Sequence, residues 1–253
     1  MENNRRLLER KVAIITGAAA GIGEAIAQLF ADQGAHVFIL DLNGVRAAAV
    51  ADRIRTNGGS GFSFVADVRS SDGVRPALRE ALDQFGRVDI LVNNAGIHPR
   101  KPFLEMSEQE WDEVQETNLK GVFHCTKAVL PHMVERRAGK IVNISSVTFF
   151  KGMANLTHYV AAKGGVIGFT RSLAREMGPN NIYVNCITPG AIEVETEKLV
   201  ATPEQIASIV GQQSLQRRLK PPDVAHVCLF LGSQLSDGLT GQTINVDGGL
   251  IMH

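Results

Sequence analysis

Residues 11–23 read KVAIITGAAAGIG, and this stretch decides the fold class. The apolar run Lys11 to Thr16 predicts a strand that is buried on both faces. The glycine-rich turn after it leads into an apolar stripe at helical spacing, formed by Ile22, Ala25, Ile26, Leu29 and Phe30. Glycines between a strand and a helix allow a tight turn and let backbone N–H groups approach a pyrophosphate. The spacing G-x-x-x-G-x-G differs from the usual G-x-G-x-x-G, so the position of the turn between strand and helix carries the prediction.

The alternation of strand and helix continues along the whole chain. Similar apolar runs lie at His36 to Leu40, Gly61 to Ala66, Val88 to Val92, Lys140 to Ile144, Ile182 to Ile187 and Gln242 to Val246. Segments with helical periodicity lie between most of them, which predicts a parallel, doubly wound α/β sheet with helices on both faces. We expect the strand order 3-2-1-4-5-6 with a seventh strand at one edge. No linker is visible, so we expect residues 1–253 to form a single-domain Rossmann fold, with a substrate loop at about 193–213.

The composition predicts a soluble, cytoplasmic protein. The 253 residues include 26 basic and 26 acidic side chains, so no overall field favours nucleic acid or an anionic membrane. No apolar run is long enough to span a bilayer, and the N-terminal residues lack the pattern of a signal peptide. Cys125, Cys186 and Cys228 each lie in an apolar segment, which predicts buried free thiols and no metal site.

Asp41 ends the second predicted strand, 18 residues after Gly23. A carboxylate at this point can accept both ribose hydroxyls of an adenosine. It would repel a 2′-phosphate, and residues 18–20 are alanines that offer no cation, so we predict NAD over NADP. Arg46 is the one nearby cation that would soften this preference. The competing interpretation of Asp41 is a turn residue or helix cap.

Tyr159 and Lys163 are four residues apart and share one face of a predicted helix. A tyrosine hydroxyl has an ordinary pKa of about 10, and a nearby cation stabilises its phenolate, so the pair can supply a general acid and base near neutral pH. The same spacing is common on ordinary amphipathic helices. The pair therefore needs support from the rest of the sequence.

Several further motifs occur in a fixed order along the chain. They are the turn TGAAAGIG, Asp67-Val68 after the third strand, Asn93-Asn94-Ala95-Gly96 after the fourth, Asn118, Ser145-Ser146 after the fifth, Tyr159 with Lys163, and Pro189-Gly190 after the sixth. Together they resemble the classical short-chain dehydrogenase/reductases, from about residue 7 to the closing Val246-Asp247-Gly248-Gly249. The resemblance implies an NAD(H)-dependent oxidoreductase that interconverts an alcohol and a carbonyl.

The resemblance also implies roles for individual residues. Tyr159 would be the acid/base, and Lys163 would lower its pKa and hold the nicotinamide ribose. Ser146, favoured over Ser145 by its spacing of thirteen residues before Tyr159, would hydrogen-bond the substrate oxygen, and Asn118 would hold a water in a proton relay. The residues implied at the cofactor are Gly17, Ala20 and Ile22 at the phosphates, Asp67 and Val68 at the adenine, Asn94 at the adenosine ribose, and Pro189 to Ile192 over the nicotinamide.

One position departs from the family pattern. Similar members often carry a threonine about five residues after the proline, which hydrogen-bonds the carboxamide, whereas this chain has Val194 there and its nearest threonine is Thr196. Either an insertion in the loop brings Thr196 into register, or the backbone makes the contact.

The substrate is expected to meet Ile97 to Pro99, Val147 to His158 and Glu193 to Gln213. Phe149, Phe150, Met153 and Leu156 make the second stretch apolar, which predicts a wall for an aromatic or cyclic alcohol, with ordinary loop packing as the alternative. His98 and His158 are candidates for binding a polar substituent, although either is also typical of a loop or a helix start. The segment is similar to members that act on aromatic secondary alcohols or pyridoxal, and also to sugar-alcohol dehydrogenases and 3-oxoacyl-thioester reductases.

Two features predict self-association. Gly164, Gly165 and Gly168 lie inside one predicted helix, where each glycine costs about 1 kcal/mol relative to alanine, so a partner backbone is expected there. The tail Leu250 to His253 is apolar and is expected to dock against a neighbouring subunit of a homotetramer.

The alternatives to an enzyme of this kind are a non-catalytic NAD-binding sensor and a lyase or epimerase with a tightly held cofactor.

Overall fold

The structure is a computed structural model that describes residues 6–195 and 202–252. A seven-stranded parallel sheet has the order β3-β2-β1-β4-β5-β6-β7, as the sequence predicts. Its strands are β1 Val12–Thr16, β2 His36–Asp41, β3 Ser60–Val65, β4 Ile90–Asn93, β5 Gly139–Ile144, β6 Ile182–Pro189 and β7 Thr243–Val246. The chain reverses its direction across the sheet between β1 and β4, which is where doubly wound folds place their ligands.

Helices cover both faces of the sheet. Those of the described residues are α1 Gly21–Asp32, α2 Gly44–Thr56, α3 Arg75–Phe85, α4 Glu108–Gln115, α5 Gly121–Arg136, α6 Thr148–Lys151, α7 Thr157–Met177, α8 Pro203–Gln212 and α9 Pro221–Gly232. A single π-helical turn, Glu116–Lys120, joins α4 to α5. The doubly wound α/β architecture predicted from the sequence is therefore confirmed.

Alternate residues of β1 belong to two different hydrophobic cores. In β1, Ala13 and Ile15 pack with α1, α2 and α9 on one face, whereas Val12 and Ile14 pack with α3, α5 and the end of α7 on the other. All five residues of this strand are buried. A strand that is apolar on both sides requires this double covering, and it fixes the position of the turn at its carboxyl end.

The three cysteines are free and buried, as predicted. Burial raises the pKa of Cys125 and of Cys186 to about 12, so these thiols stay protonated. Within the described residues, no helix combines the length and the apolar character needed to cross a bilayer.

Candidate active site

The glycine-rich turn between β1 and α1 borders a cavity of about 790 Å³, called here the cofactor cavity. Gly17 and Gly21 have φ angles of +63° and +59°, a left-handed conformation that favours glycine. A side chain at Gly17 would also meet Cα of Ala95 at 2.7 Å. The residue after the neighbouring strand β4 stabilises the turn, because Asn94 Nδ2 donates to the carbonyls of Thr16 and Gly17 at 3.0 and 2.9 Å.

The start of α1 is open to a ligand. Its N-cap residue, Ala20, makes no side-chain capping bond, so the first N–H groups of the helix have no side-chain acceptor. Ala20, Gly17 and Gly21 all line the cofactor cavity. Unpaired N–H groups and the positive end of a twelve-residue helix fit the pyrophosphate of a dinucleotide.

Asp41 lies at the edge of the cofactor cavity, where its side chain bonds two backbone groups. Its Oδ2 accepts from Ala19 N at 3.1 Å and its Oδ1 accepts from Asn43 N at 2.9 Å. The N-cap of α2 is Asn43, so Asp41 does not cap that helix. Its carboxylate joins the end of β2 to the glycine-rich turn and remains in the wall of the cavity.

The cations beside this carboxylate are already paired. Arg46 Nη1 lies 3.4 Å from Glu195 Oε2, across the cofactor cavity, and Arg53 forms a close ion pair with Glu24. These are the only two basic residues among the described residues that line this cavity. Each cation thus has a carboxylate partner other than Asp41.

A second cavity of about 300 Å³, called here the substrate cavity, adjoins the first and shares Asn94, Gly96 and Val194 with it. The predicted residues Asn118, Ser146, Tyr159, Lys163, Ile22, Pro189, Ile192 and His98 line it. Asp67 and Val68 line neither cavity. Asp67 is instead bound by the guanidinium of Arg69 at 2.7 Å, which lowers the pKa of the carboxyl, and Val68 is buried beside Gly121.

Tyr159 and Lys163 lie on α7 as predicted, with Lys163 Nζ 5.7 Å from the centroid of the tyrosine ring. Lys163 Nζ donates to the carbonyl of Ile144 at 2.8 Å, and burial lowers its pKa to about 8. We expected Lys163 to lower the pKa of Tyr159, but burial raises that pKa, and a hydrogen bond with Ser146 offsets part of the effect. The protein groups alone therefore hold Tyr159 as a neutral phenol.

The two serines after β5 have different tasks. Ser145 Oγ donates to the carbonyl of Lys163 at 2.7 Å and so fastens α7 to the sheet. Ser146 Oγ accepts from Thr148 N at 3.2 Å and from Thr148 Oγ1 at 3.0 Å, and its hydroxyl also acts on Tyr159, whose pKa it lowers. Ser146 is thus the serine that faces Tyr159, in line with its predicted position.

Asn118 sits in the π-helical turn, a distortion that is frequent at functional sites. Its Nδ2 donates to the carbonyls of Ile97 and Val114 at 2.8 and 3.0 Å, and its Oδ1 accepts from Ile97 N at 3.2 Å. Both amide protons are therefore used by the protein itself. A relay water would have to bind the Oδ1 or the backbone carbonyl.

Two of the predicted substrate contacts are not supported. His158 is fully buried and outside the lining of the substrate cavity, and its Nδ1 accepts from Tyr159 N at 2.9 Å. This bond serves the start of α7, because the N-cap Leu156 has no side-chain acceptor. Phe149 also lies outside the lining, since its ring packs edge-on against Phe150 and covers a glycine of α7.

The glycines of α7 are explained by side chains of the same chain. A Cβ at Gly164 would lie 2.6 Å from the ring of Phe149, and one at Gly165 would lie 2.8 Å from Leu119. Gly168 has open space within 4 Å. Gly164 and Gly165 are therefore accounted for by contacts within this chain, and the approach of a partner backbone stays a prediction.

The apolar tail docks on its own chain. Leu250 lines the substrate cavity, and Ile251 N donates to Asp247 Oδ2 at 2.9 Å, whereas Met252 is 77% exposed. Leu250 is a residue that sequence reasoning assigned to a subunit contact, although its place at the end of the chain gave no signal of a ligand wall. Thr196 and His253 lie outside the described residues, and Val194 packs over Gly21 at the boundary of both cavities.

Comparison with known proteins covers almost the whole chain. The family model described as enoyl-(acyl carrier protein) reductase matches residues 17–251. The chain is 42% identical to the 3-oxoacyl-(acyl-carrier-protein) reductase of Thermotoga maritima, over 97% of this chain and 99% of that protein. Two solved structures are also similar. One is a 7α-hydroxysteroid dehydrogenase complexed with NADH and 7-oxo glycochenodeoxycholic acid, with a TM-score of 0.94, 37% identity and 98% coverage of both chains. The other is the 3-oxoacyl-(acyl-carrier protein) reductase of Brucella melitensis, with a TM-score of 0.90, 40% identity and coverage of 98% of this chain and 94% of that chain.

Proposed function

The chain belongs to the short-chain dehydrogenase/reductase family, and from this membership we propose that it is an NAD(H)-dependent reductase of 3-oxoacyl thioesters. The observation that carries the proposed chemistry is that Ser146, Tyr159 and Lys163 line one cavity, directly beside the cofactor cavity. The substrate class is supported by the names of relatives that match over nearly the full length of both chains. This class is the alternative that the sequence left beside an aromatic or cyclic alcohol.

Ser146, Tyr159 and Lys163 each have one role in the interconversion of the carbonyl and the alcohol. A nicotinamide cofactor held by the residues of the cofactor cavity would supply or accept the hydride. In reduction, Ser146 hydrogen-bonds the carbonyl oxygen, and Tyr159 gives its hydroxyl proton to that oxygen as the carbon receives hydride. Lys163, whose pKa is lowered to about 8, remains mostly cationic at neutral pH and stabilises the phenolate that is left. Oxidation reverses each transfer.

The proposed preference for NAD(H) rests on charge. Asp41 places a carboxylate in the wall of the cofactor cavity, while Arg46 and Arg53 are paired with Glu195 and Glu24. A 2′-phosphate would thus meet an acid whose neighbouring cations are already paired. The solved hydroxysteroid dehydrogenase structure, which is described as an NADH complex, supports the same choice.

A cyclic secondary alcohol is the second candidate. The same hydroxysteroid dehydrogenase, described as a complex with a 7-oxo bile acid, favours it, and apolar side chains of Val147, Met153 and Leu156 line the substrate cavity. Phe149 and Phe150, which first motivated an aromatic wall, lie outside that lining. The support for aromatic alcohols is accordingly weaker than the sequence suggested.

A substrate screen tests the proposal. Acetoacetyl thioesters, cyclic secondary alcohols, polyols and pyridoxal are offered with NAD(H) and NADP(H), and the absorbance of the reduced nicotinamide is followed. We expect the thioester with NADH to give the highest kcat/KM. Tyr159→Phe should bind cofactor but lose at least about a hundredfold in turnover. Near-normal turnover in this variant would refute the role of Tyr159, and no turnover in any arm would favour a cofactor-binding sensor.

We propose a homotetramer as well. Phe123 is 45% exposed, and it lines a surface groove with Leu119 and Phe169 on the side of α5 and α7. Apolar side chains in such a groove are typical of subunit contacts. Light scattering measures the assembly, and a monomer would contradict it.

A further inference from the structure

The charged side chains that line the substrate cavity all have the same sign. They are Arg100, Lys151 and Lys163, and none of the described lining residues is an aspartate or glutamate. The chain as a whole carries equal numbers of basic and acidic residues, so this cavity departs from the average surface. The cofactor cavity next to it is different, because Glu24, Asp41, Glu193 and Glu195 contribute to its wall.

Arg100 is available for a ligand. Within residues 6–195 and 202–252, its guanidinium forms no ion pair, although its neighbour Lys101 is paired with Glu110 at 3.2 Å. Lys151 Nζ donates to the side-chain carbonyl of Gln212 at 3.0 Å, a neutral partner that leaves the ammonium charge uncompensated. Lys163, in contrast, is committed to the carbonyl of Ile144 deep in the site.

Arg100 lies in the segment after β4 and Lys151 lies at the end of α6, and a backbone hydrogen bond joins the chain next to each of them. Lys101 N donates to the carbonyl of Asn155 at 2.8 Å, which ties the segment after β4 to the segment after α6. Arg100 directly precedes the first of these segments, and Lys151 is the last residue of α6. Cations held on two fastened loops can act on one ligand with a smaller loss of conformational freedom than two independent side chains.

The positive charges of Lys163 and Arg100 also act on His98, whose ring centroid lies 5.9 Å from that of Tyr159. Burial lowers the pKa of His98, and the charges of Lys163 and Arg100 lower it further. His98 is therefore held neutral beside the reacting groups. The positive charge of the cavity is left to Lys163 at its base and to Arg100 and Lys151 at its mouth.

We propose that Arg100 and Lys151 form an anion subsite and that the substrate carries a carboxylate or phosphate apart from its reacting carbonyl. The proposal rests on the oxidoreductase function proposed above and narrows its substrate class. A keto or hydroxy acid is one source of such an anion. The phosphate of a phosphopantetheine arm is the other source of the same chemistry.

Matched pairs of substrates test the subsite and distinguish the two sources. One arm compares 3-, 4- and 5-oxo acids with their methyl esters, and the other compares acetoacetyl-phosphopantetheine with acetoacetyl-pantetheine, all with NADH. In at least one arm we expect the anion to exceed its neutral partner by about tenfold in kcat/KM, as for a charge-assisted hydrogen bond. Raising the ionic strength should reduce this ratio.

The decisive comparison uses the double variant Arg100→Gln/Lys151→Gln. Its ratio of anion to neutral kcat/KM should fall close to one. Lys101→Gln is the matched control, since Lys101 is the adjacent cation but is paired with Glu110, and it should keep the wild-type ratio. A wild-type ratio of one or less in both arms, or an unchanged ratio in the double variant, would overturn the proposal.

A binding measurement separates this proposal from the proposed reaction. Calorimetry of the same oxo acids and of acetoacetyl-phosphopantetheine with the NADH-loaded enzyme reports the anion subsite even if hydride transfer is not detected. Binding that is lost in the double variant supports the subsite without turnover. Turnover of neutral ketones with no preference for anions would leave the oxidoreductase proposal standing and the subsite refuted.

Discussion

Gly96→Ala tests whether the loop after β4 and Asn118 work as one unit. A Cβ at Gly96 would lie 2.4 Å from Asn118 Oδ1 and 3.5 Å from Lys163 Nζ. Ordinary contact begins near 3.4 Å, so the amide oxygen would have to move by about 1 Å. That shift would weaken the bond of 3.2 Å that Oδ1 accepts from Ile97 N.

The expected effect has two parts. A misplacement of about 1 Å at a catalytic group can lower the rate by about 10²-fold, and we expect kcat to fall by that order. The disturbed hydrogen bond should cost about 1–3 kcal/mol of unfolding free energy, because a backbone N–H beside the site loses its acceptor. Steady-state kinetics and urea unfolding measure the two effects separately.

Gly168→Ala is the matched control. Gly168 lies in α7 with no atom within 4 Å of an added Cβ, so alanine there should retain turnover and gain about 1 kcal/mol of helix stability. If Gly96→Ala has wild-type kcat and stability, the loop can shift without affecting Asn118, and the link drawn between these two elements is wrong.

Three further predictions follow from individual contacts. Asp41→Ala should raise kcat/KM for NADPH relative to NADH by about tenfold, because it removes the carboxylate beside the 2′ position; an unchanged ratio in cofactor kinetics would contradict the assignment. The pKa of Lys163 is lowered from 10.5 to about 8 on folding, so the folded state binds fewer protons between these values. The unfolding free energy of the wild type should therefore rise with pH from 8 to 10.5 relative to Lys163→Met, and parallel curves in urea titrations would argue against a buried ammonium. His158→Phe removes the acceptor of the Tyr159 N–H and should lower both stability, by about 1 kcal/mol, and turnover; equal values for variant and wild type would mean that α7 needs no such cap.

The sheet could be predicted from the sequence because its signals are local. A strand such as Val12–Thr16 is apolar on both faces, and that pattern alone requires helices on both sides. The glycine-rich turn, Asp41 and the pair Tyr159 and Lys163 were likewise identified by spacing. Periodicity locates the strands and the residues at their carboxyl ends, and the strand order follows from the crossover rule and the usual order of doubly wound sheets.

The walls of the substrate cavity could not be predicted in the same way. The direction of Phe149 depends on the rotation of the four-residue helix α6, which is set by packing on α7. The buried His158 accepts a hydrogen bond from Tyr159 N, and the carboxylate of Asp67 accepts one from the guanidinium of Arg69. Such choices are made by tertiary contacts, which leave no period in the sequence.

The packing of Phe149 on Gly164 constrains the evolution of the substrate cavity. A Cβ at position 164 would meet the phenyl ring at 2.6 Å, so neither residue can change freely while the other stays. A lineage that acquires alanine at 164 must move the ring of Phe149 or replace it with a smaller residue, and both changes act on α6, the helix that ends at Lys151. Changes of substrate preference in relatives should therefore appear as ordered pairs of substitutions at 149 and 164, detectable as covariation between the two positions.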